Sequence, residues 1–183
     1  METLQLVKAC IKNDRQAQQH LYNKYAGNML GLCYRYTKSL HDAEDVLQEG
    51  FIKVFNNIEQ FKNDGDLGAW IRRIMVNTAL TYLKKHNRYK SEMVMTEANL
   101  HPITDENAEI NVNTKDLVEQ IRKLPTNQQT IFNLVAVEGY SQVEIAEMLQ
   151  TNINTIRSNY SRGRATLIKM IEQENNRTNK YAK

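Results

Sequence analysis

The chain has 183 residues, 41% of them hydrophobic and 25% charged, with 24 basic against 21 acidic side chains and a net charge of +3. That balance belongs to a soluble globular protein and excludes disordered and collagen-like chains. Two prolines and seven glycines leave little for a turn-rich β architecture, and no apolar run approaches the roughly 20 residues that span a bilayer.

The first residues, METLQLVKACIKND, carry charge too early for a signal peptide, so a cytoplasmic protein with no membrane insertion is expected. Leu4, Val7 and Ile11, then Leu21, Tyr22 and Tyr25, recur at helical spacing, with a break at Asn13–Asp14, and the pattern continues through Met29, Leu30, Cys33 and Tyr34. In SLHDAEDVLQEGFIKVFNNI, Ser39 is placed to cap a helix whose first turn carries acids, where the helix dipole favours them. Its apolar face is Ala43, Val46, Leu47, Phe51, Val54 and Ile58. FKNDGDLG, residues 61–68, reads as a loop. The next helix, to about Lys85, has an apolar stripe through Trp70, Ile71, Ile74, Met75, Leu80 and Leu83, yet residues 68–90 contain no Asp or Glu beside Arg72, Arg73, Lys84, Lys85, Arg88 and Lys90.

Residues 91–113 are acidic and aperiodic and read as a linker. A second helical block places Leu117, Val118, Ile121 and Leu124 on one face and stops at Pro125. Thr126 with Gln129 forms a candidate capping box for a helix that Gly139 ends; Ser141 with Glu144 forms another, opening a short helix to Leu149. Asn152 is placed to cap a longer helix through Ile156, Tyr160, Leu167 and Met170. The predicted fold class is therefore all-α: two small helical domains, 1–90 and 114–176, with a linker between them and a polar tail at 177–183.

Charge is segregated, with 71–90 and 153–170 basic and 41–49 and 92–119 acidic. A locally concentrated positive face is what displaces counterions from phosphates. A short helix, a turn of about four residues and a longer helix make helix-turn-helix spacing. On the longer helix Ile156, Tyr160, Gly163 and Leu167 face inward, whereas Asn154, Thr155, Arg157, Ser158, Ser161 and Arg162 face outward, short polar groups among arginines that suit a major groove. The acid-free helix lacks such a partner. Trp70, Asn77, Thr78, Thr81 and Tyr82 among its cations are instead suited to unstacked bases, since aromatics stack and amides read exposed edges. Cys10 and Cys33 lack CxxC spacing and are expected to be buried, reduced thiols, and the four histidines show no ligand spacing. No metal site, nucleophile–base pair or phosphate loop is visible, so neither an enzyme nor a cofactor is expected.

Taken together these segments resemble the extracytoplasmic-function (ECF) group of bacterial RNA polymerase sigma factors, over nearly everything from Leu4 to Ile171. DAEDVLQEGFIKVFNNI is similar to the polymerase-binding helix of region 2, FKNDGDLGAWIRRIMVNTALTYLKK to the segment that melts and reads the minus-ten element, and LPTNQQTIFNLVAVEGYSQVEIAEMLQ with TIRSNYSRGRATL to region 4, which reads the minus-thirty-five element. The resemblance implies that Asp42, Asp45, Gln48, Glu49 and Lys53 dock on the clamp helices of the largest polymerase subunit. It implies that Phe61 and the loop with Lys62, Asn63 and Asp64 capture a flipped base, that Asn77 lies near the first unstacked base, and that Arg73, Lys84, Lys85 and Arg88 hold phosphates. Ser141, Asn159 and Arg164 join the outward residues of the last helix as upstream contacts. Implied partners are core RNA polymerase, including its flap region, promoter DNA and an anti-sigma factor.

The sequence departs from the family at Gln150 and Asn154, where glycines are usual, and at Asn159, where an arginine is common. A different turn and an altered upstream base preference are expected there. Linker reach adds a constraint. A flexible stretch of about 23 residues spans roughly 26 Å r.m.s., against about 70 Å for two DNA elements two helical turns apart, so a larger surface would have to hold it extended. Two other readings remain open: an autonomous helix-turn-helix regulator acting as a dimer, and a helical adaptor whose basic patches bind RNA or acidic proteins.

Overall fold

A computed structural model describes residues 3–62, 65–93 and 112–181, and the side chains within them except those of 87–93, 112–115 and 175–181. Asn63, Asp64, residues 94–111 of the expected linker and the side chain of Arg88 lie outside what is described. Among the described residues there is no β-strand, and the helices fall into two compact units, Met1–Glu106 and Asn107–Lys183.

The first unit begins with α1 (Thr3–Ile11), which buries Leu6, Val7 and Cys10. Leu4 and Ile11, expected on its inner face, are exposed instead, because Leu6 and Cys10, four residues apart, hold the contact line. The break falls where expected: Asn13 takes a left-handed φ of 58°, and Asp14 caps α2 (Arg15–Tyr36) by accepting from the Gln16 and Ala17 amides at 2.8 and 3.1 Å. Ser39 caps α3 (Leu40–Asn57) through the Asp42 amide, and a 3-10 turn, Ile58–Gln60, leads into the loop. The basic helix α4 (Leu67–Met93) runs well past Lys85. Nothing in its sequence stops it there, since no glycine or proline follows in 86–93.

Helices α2, α3 and α4 pack mutually around Leu21, Leu32, Val46, Val54, Ile71 and Met75. Phe51 fills the junction, 4.7 Å from the Tyr22 ring and 6.0 Å from Phe55. α3 and α4 approach closely because position 50 has no side chain: a Cβ there would lie 2.2 Å from the sulfur of Met75, itself fully buried. Cys10 and Cys33 are free buried thiols. Burial pushes Cys33 up to about 12, and burial with the charge of Asp14 raises Cys10, so both sites disfavour the thiolate.

The second unit comprises α5 (Val112–Arg122), α6 (Thr126–Phe132), a π-helical turn Asn133–Val137, α7 (Gln142–Leu149) and α8 (Ile153–Tyr181). Two expectations need correction. The Thr126–Gln129 box is absent: Pro125 takes the N-cap position, its carbonyl accepts the Gln129 amide, and Gln129 is buried. Leu117 is exposed on α5, while Ile121 and Leu124 are buried. The Ser141–Glu144 box forms with both reciprocal bonds, at 2.8 and 3.2 Å. Gly139, at φ 79°, makes the preceding turn. α8 is held by α6 and α7, with Gly163 against Gln128 and Tyr160 stacked near Phe132. No helix among the described residues is long and apolar enough to cross a membrane.

Candidate polymerase and nucleic-acid surfaces

In the first unit α3 presents an outward stripe. Asp45, Gln48 and Glu49 are exposed along it, and Ile52, one turn further, is 60% exposed. Ile52 thus stands as an exposed aliphatic side chain on a face otherwise carrying Asp45, Gln48 and Glu49. Sequence patterning had no place for Ile52: it falls outside the apolar face of α3, and that misfit was itself the signal. Asp42 is not on this stripe. Its carboxylate is half-buried and accepts from Ser39 Oγ at 2.7 Å; burial would raise it, but hydrogen bonding to Tyr82 and Ser39 and the nearby His86 hold it below its ordinary range.

Lys53 bridges from the stripe toward α4. Its ammonium sits 2.6 Å from Glu49 and 3.4 Å from Thr78 Oγ1, at a cleft of about 260 Å³ between α3 and α4. Asn57 and Gln60 line one wall; Trp70, Ile74, Asn77, Thr78 and Thr81 line the other. These residues recur along α4 every three or four positions, so helical geometry alone places them on one side. The amides are held in register: Asn57 donates to the Lys53 carbonyl at 2.8 Å and accepts from Gln60 at 2.9 Å. Thr78 and Thr81 hydroxyls bond back to the Ile74 and Asn77 carbonyls, each at 2.8 Å. Trp70 is half-buried with its ring centroid 5.8 Å from that of Phe61. Phe61 is therefore a buried support behind Trp70, while Lys62 is exposed at the mouth of the loop. Arg73, Lys84 and Lys85 are exposed on α4. Asn57 and Gln60 escaped the sequence reading, since nothing in NNIEQ distinguishes a cleft wall from a solvated helix end.

In the second unit the chain turns between α7 and α8 at Gln150, which adopts φ 51°, ψ 49°. That left-handed residue is where the sequence lacks glycine, so the turn is kept with a β-carbon in it. Asn152 caps α8 as expected: its side chain accepts the Asn154 amide at 2.8 Å and its carbonyl the Thr155 and Ile156 amides. Asn154, Thr155, Arg157, Ser161, Arg162 and Arg164 are exposed, whereas Ile156, Gly163 and Leu167 are buried. Ser158 and Asn159 are half-buried and donate to the Thr155 carbonyl at 3.1 and 2.9 Å, so part of their bonding capacity serves the helix itself. Ser141 is exposed at the amino end of α7, its hydroxyl and amide both engaged by Glu144 in the capping box. Among the described residues no group of three or more His, Cys, Asp or Glu is arranged to hold a metal.

Comparison with known proteins gives these surfaces a context. Sigma-70 region 2 matches residues 21–89, and Sigma-70 region 4 matches residues 114–167. The ECF RNA polymerase sigma-E factor of Haemophilus influenzae is 30% identical, over 91% of this chain and 94% of its own. The RNA polymerase sigma-H factor of Pseudomonas aeruginosa is 29% identical, over 92% and 93% respectively. Two solved structures share the fold: the sigma factor RpoE in complex with the anti-sigma factor NepR from Bartonella quintana (TM-score 0.56, 19% identity, 84% of this chain and 96% of that one), and CnrH in complex with the cytosolic domain of CnrY (TM-score 0.51, 18% identity, 92% and 96%).

Proposed function

Since this chain belongs to the ECF group of RNA polymerase sigma factors, proteins of transcription initiation, we propose that it docks on core polymerase through the α3 stripe, captures unpaired bases of a downstream promoter element at the α3–α4 cleft, and reads an upstream duplex element with α8. The observation that carries this reading is the cleft itself. It is open, walled by an indole and by amides in register, and bordered by a helix whose flanking charges, Arg73, Lys84 and Lys85, are all cationic. A stacked base is worth about 1–3 kcal/mol, and amides supply edge contacts. Lys53 belongs to this capture site rather than to docking, because it is tied across to Thr78.

Magnitudes require the partner. Opening a dozen base pairs costs roughly 17 kcal/mol at about 1.4 kcal/mol per step, while two or three captured bases return only about 2–9 kcal/mol. Core polymerase supplies the difference, holds the linker extended and takes region 4 at its flap. An anti-sigma protein is proposed as a further partner that covers the α3 stripe when the factor is idle, a reading supported by the exposed Ile52 and by the two related sigma structures, each a complex with such a protein or a cytosolic partner domain.

The experiment is reconstitution: core polymerase, this chain and a pool of genomic fragments, with the transcripts sequenced. Start sites preceded by two shared elements at constant spacing are expected. Failure to associate with core polymerase, or association without start-site choice, overturns the proposal. Footprinting adds a discriminating arm, since strong protection by the chain alone would indicate an autonomous regulator instead.

A further inference from the structure

Resting on the docking stripe and capture cleft proposed above, we propose that the Glu49–Lys53 ion pair couples the two. Glu49 masks the cation of the cleft until polymerase engages the stripe. Among the described residues that line the cleft, Lys53 is the only charged one. Its ammonium is fixed at two points. One is Thr78 Oγ1 at 3.4 Å, a buried hydroxyl whose own proton goes to the Ile74 carbonyl, so that its oxygen is left to accept. The other is Glu49 at 2.6 Å, the one carboxylate paired with Lys53 among the described residues. The two contacts have opposite surroundings: Thr78 lies inside, whereas Glu49 is exposed on the stripe beside Asp45 and Gln48. An ammonium has three donors, so one remains for a phosphate oxygen of a strand seated in the cleft.

The coupling is electrostatic and needs no movement of the backbone. A cation 2.6 Å from a carboxylate presents the cleft with a dipole rather than a charge, and the field of a dipole falls off faster with distance. The α3 stripe carries Asp45 and Glu49, so its complement on polymerase is cationic. A cation placed against Glu49 neutralises that carboxylate, repels the Lys53 ammonium and leaves net positive charge at the cleft. The flexible lysine stem lets the ammonium turn inward. Asn57, bonded to the Lys53 carbonyl at 2.8 Å, keeps the wall behind it in place. Capture is thereby strengthened where polymerase is present. Linkage requires the converse as well: a bound strand draws Lys53 away and frees Glu49 for docking.

The test is a double-mutant cycle on the full chain, free and with saturating core polymerase, probed with fluorescent single-stranded DNA of mixed sequence at low ionic strength. In the free chain Glu49→Gln is expected to tighten DNA binding about 1.5-fold to fivefold, the range of a half-exposed ion pair. Lys53→Met should abolish that gain and, by itself, change little. With polymerase bound, Lys53→Met should instead weaken capture several-fold, because the charge it removes is then unmasked. A gain that persists beside Lys53→Met reports only the lost negative charge and overturns the coupling. No gain, or an equal Lys53→Met loss in both states, overturns it too. Asn77→Ala, on the opposite wall, separates the two readings. If it weakens capture while the cycle is additive, the cleft stands and the coupling falls; if neither Asn77→Ala nor Lys53→Met alters capture, the cleft reading fails and the coupling with it. Should Lys53→Met melt below the assay temperature, Lys53→Gln has to give the same non-additivity.

Discussion

In the first unit Asn77, Thr78 and Thr81 stand in the wall of a cleft and are tied to neighbours on α3 or to their own helix; in the second, Asn154, Arg157 and Arg162 stand on open helix surface around a buried Ile156–Gly163–Leu167 seam. The difference follows from the form of DNA each is proposed to meet. A base taken out of its stack needs a concavity that replaces lost neighbours, and a concavity requires two elements. An intact duplex already provides the groove, so the protein needs only a convex ridge of side chains. The first solution makes recognition depend on interhelical geometry; the second makes it depend on individual side chains.

That contrast can be broken at several strengths. The largest effect is expected from Asp45→Lys with Glu49→Lys on the exposed α3 stripe: co-purification with core polymerase should be lost while circular dichroism stays unchanged. Retained binding would remove the stripe from the docking surface. Next, Arg157→Ala or Arg162→Ala should weaken upstream recognition by about 1–3 kcal/mol wherever the contact is bidentate to a base, read by band shift of the holoenzyme on upstream variants. Because both side chains are exposed, the melting temperature should not move; if it does, the ridge is part of the core and the contrast dissolves.

Packing gives a comparison of the same kind. Gly50→Ala drives a methyl into fully buried Met75, and overpacking of that sort typically costs about 1–3 kcal/mol. Gly163→Ala meets Gln128 Cβ at 3.3 Å and should cost less. Thermal melts of the two variants should rank in that order, and downstream capture should fall with the first only. Gln150→Gly is expected to stabilise the second unit by roughly 0.5–1 kcal/mol, since it relieves a left-handed β-carbon at some cost in unfolded-chain entropy. A lower melting temperature would mean that the turn is not strained.

The smallest expected effect is in pH. Asp42 is depressed when folded, so its contribution is present above the unfolded carboxylate range near pH 4 and fades as the pH falls through the folded value. Tyr82 is raised, first by burial and then by the hydrogen bond and charge of Asp42 and the charge of Asp45, so its contribution is complete below about pH 10 and is lost as the pH climbs toward the folded value. Tyr82→Phe should therefore flatten the alkaline limb of the first unit's stability profile and leave its acid limb less steep. An unchanged alkaline limb would mean that burial and the neighbouring carboxylates do not raise the Tyr82 hydroxyl in the folded protein.

Much of this was legible in the order of residues. Ser39, Ser141 with Glu144, Asn152 and the Asn13–Asp14 break act where local chemistry alone places them, because a cap is a bond between neighbours in sequence. The all-helical class, the matched regions and the acid-free character of α4 were equally available. The Thr126 box failed because Pro125 supplies a rigid cap position and draws Gln129 inside.

What the sequence by itself determined, then, is which segments are helical, how most of them begin, and where charge gathers. Periodicity and capping act over a few residues, and these features need nothing more. Only the tertiary structure decided that Ile52 faces water, that Lys53 and Asn57 share a cleft with Trp70 and Asn77, and that Asp42 is half-buried where Asp45 is exposed. Each of those depends on which side of α3 packs against α4. That packing is governed by contacts such as Gly50 against Met75, twenty-five residues apart in the chain.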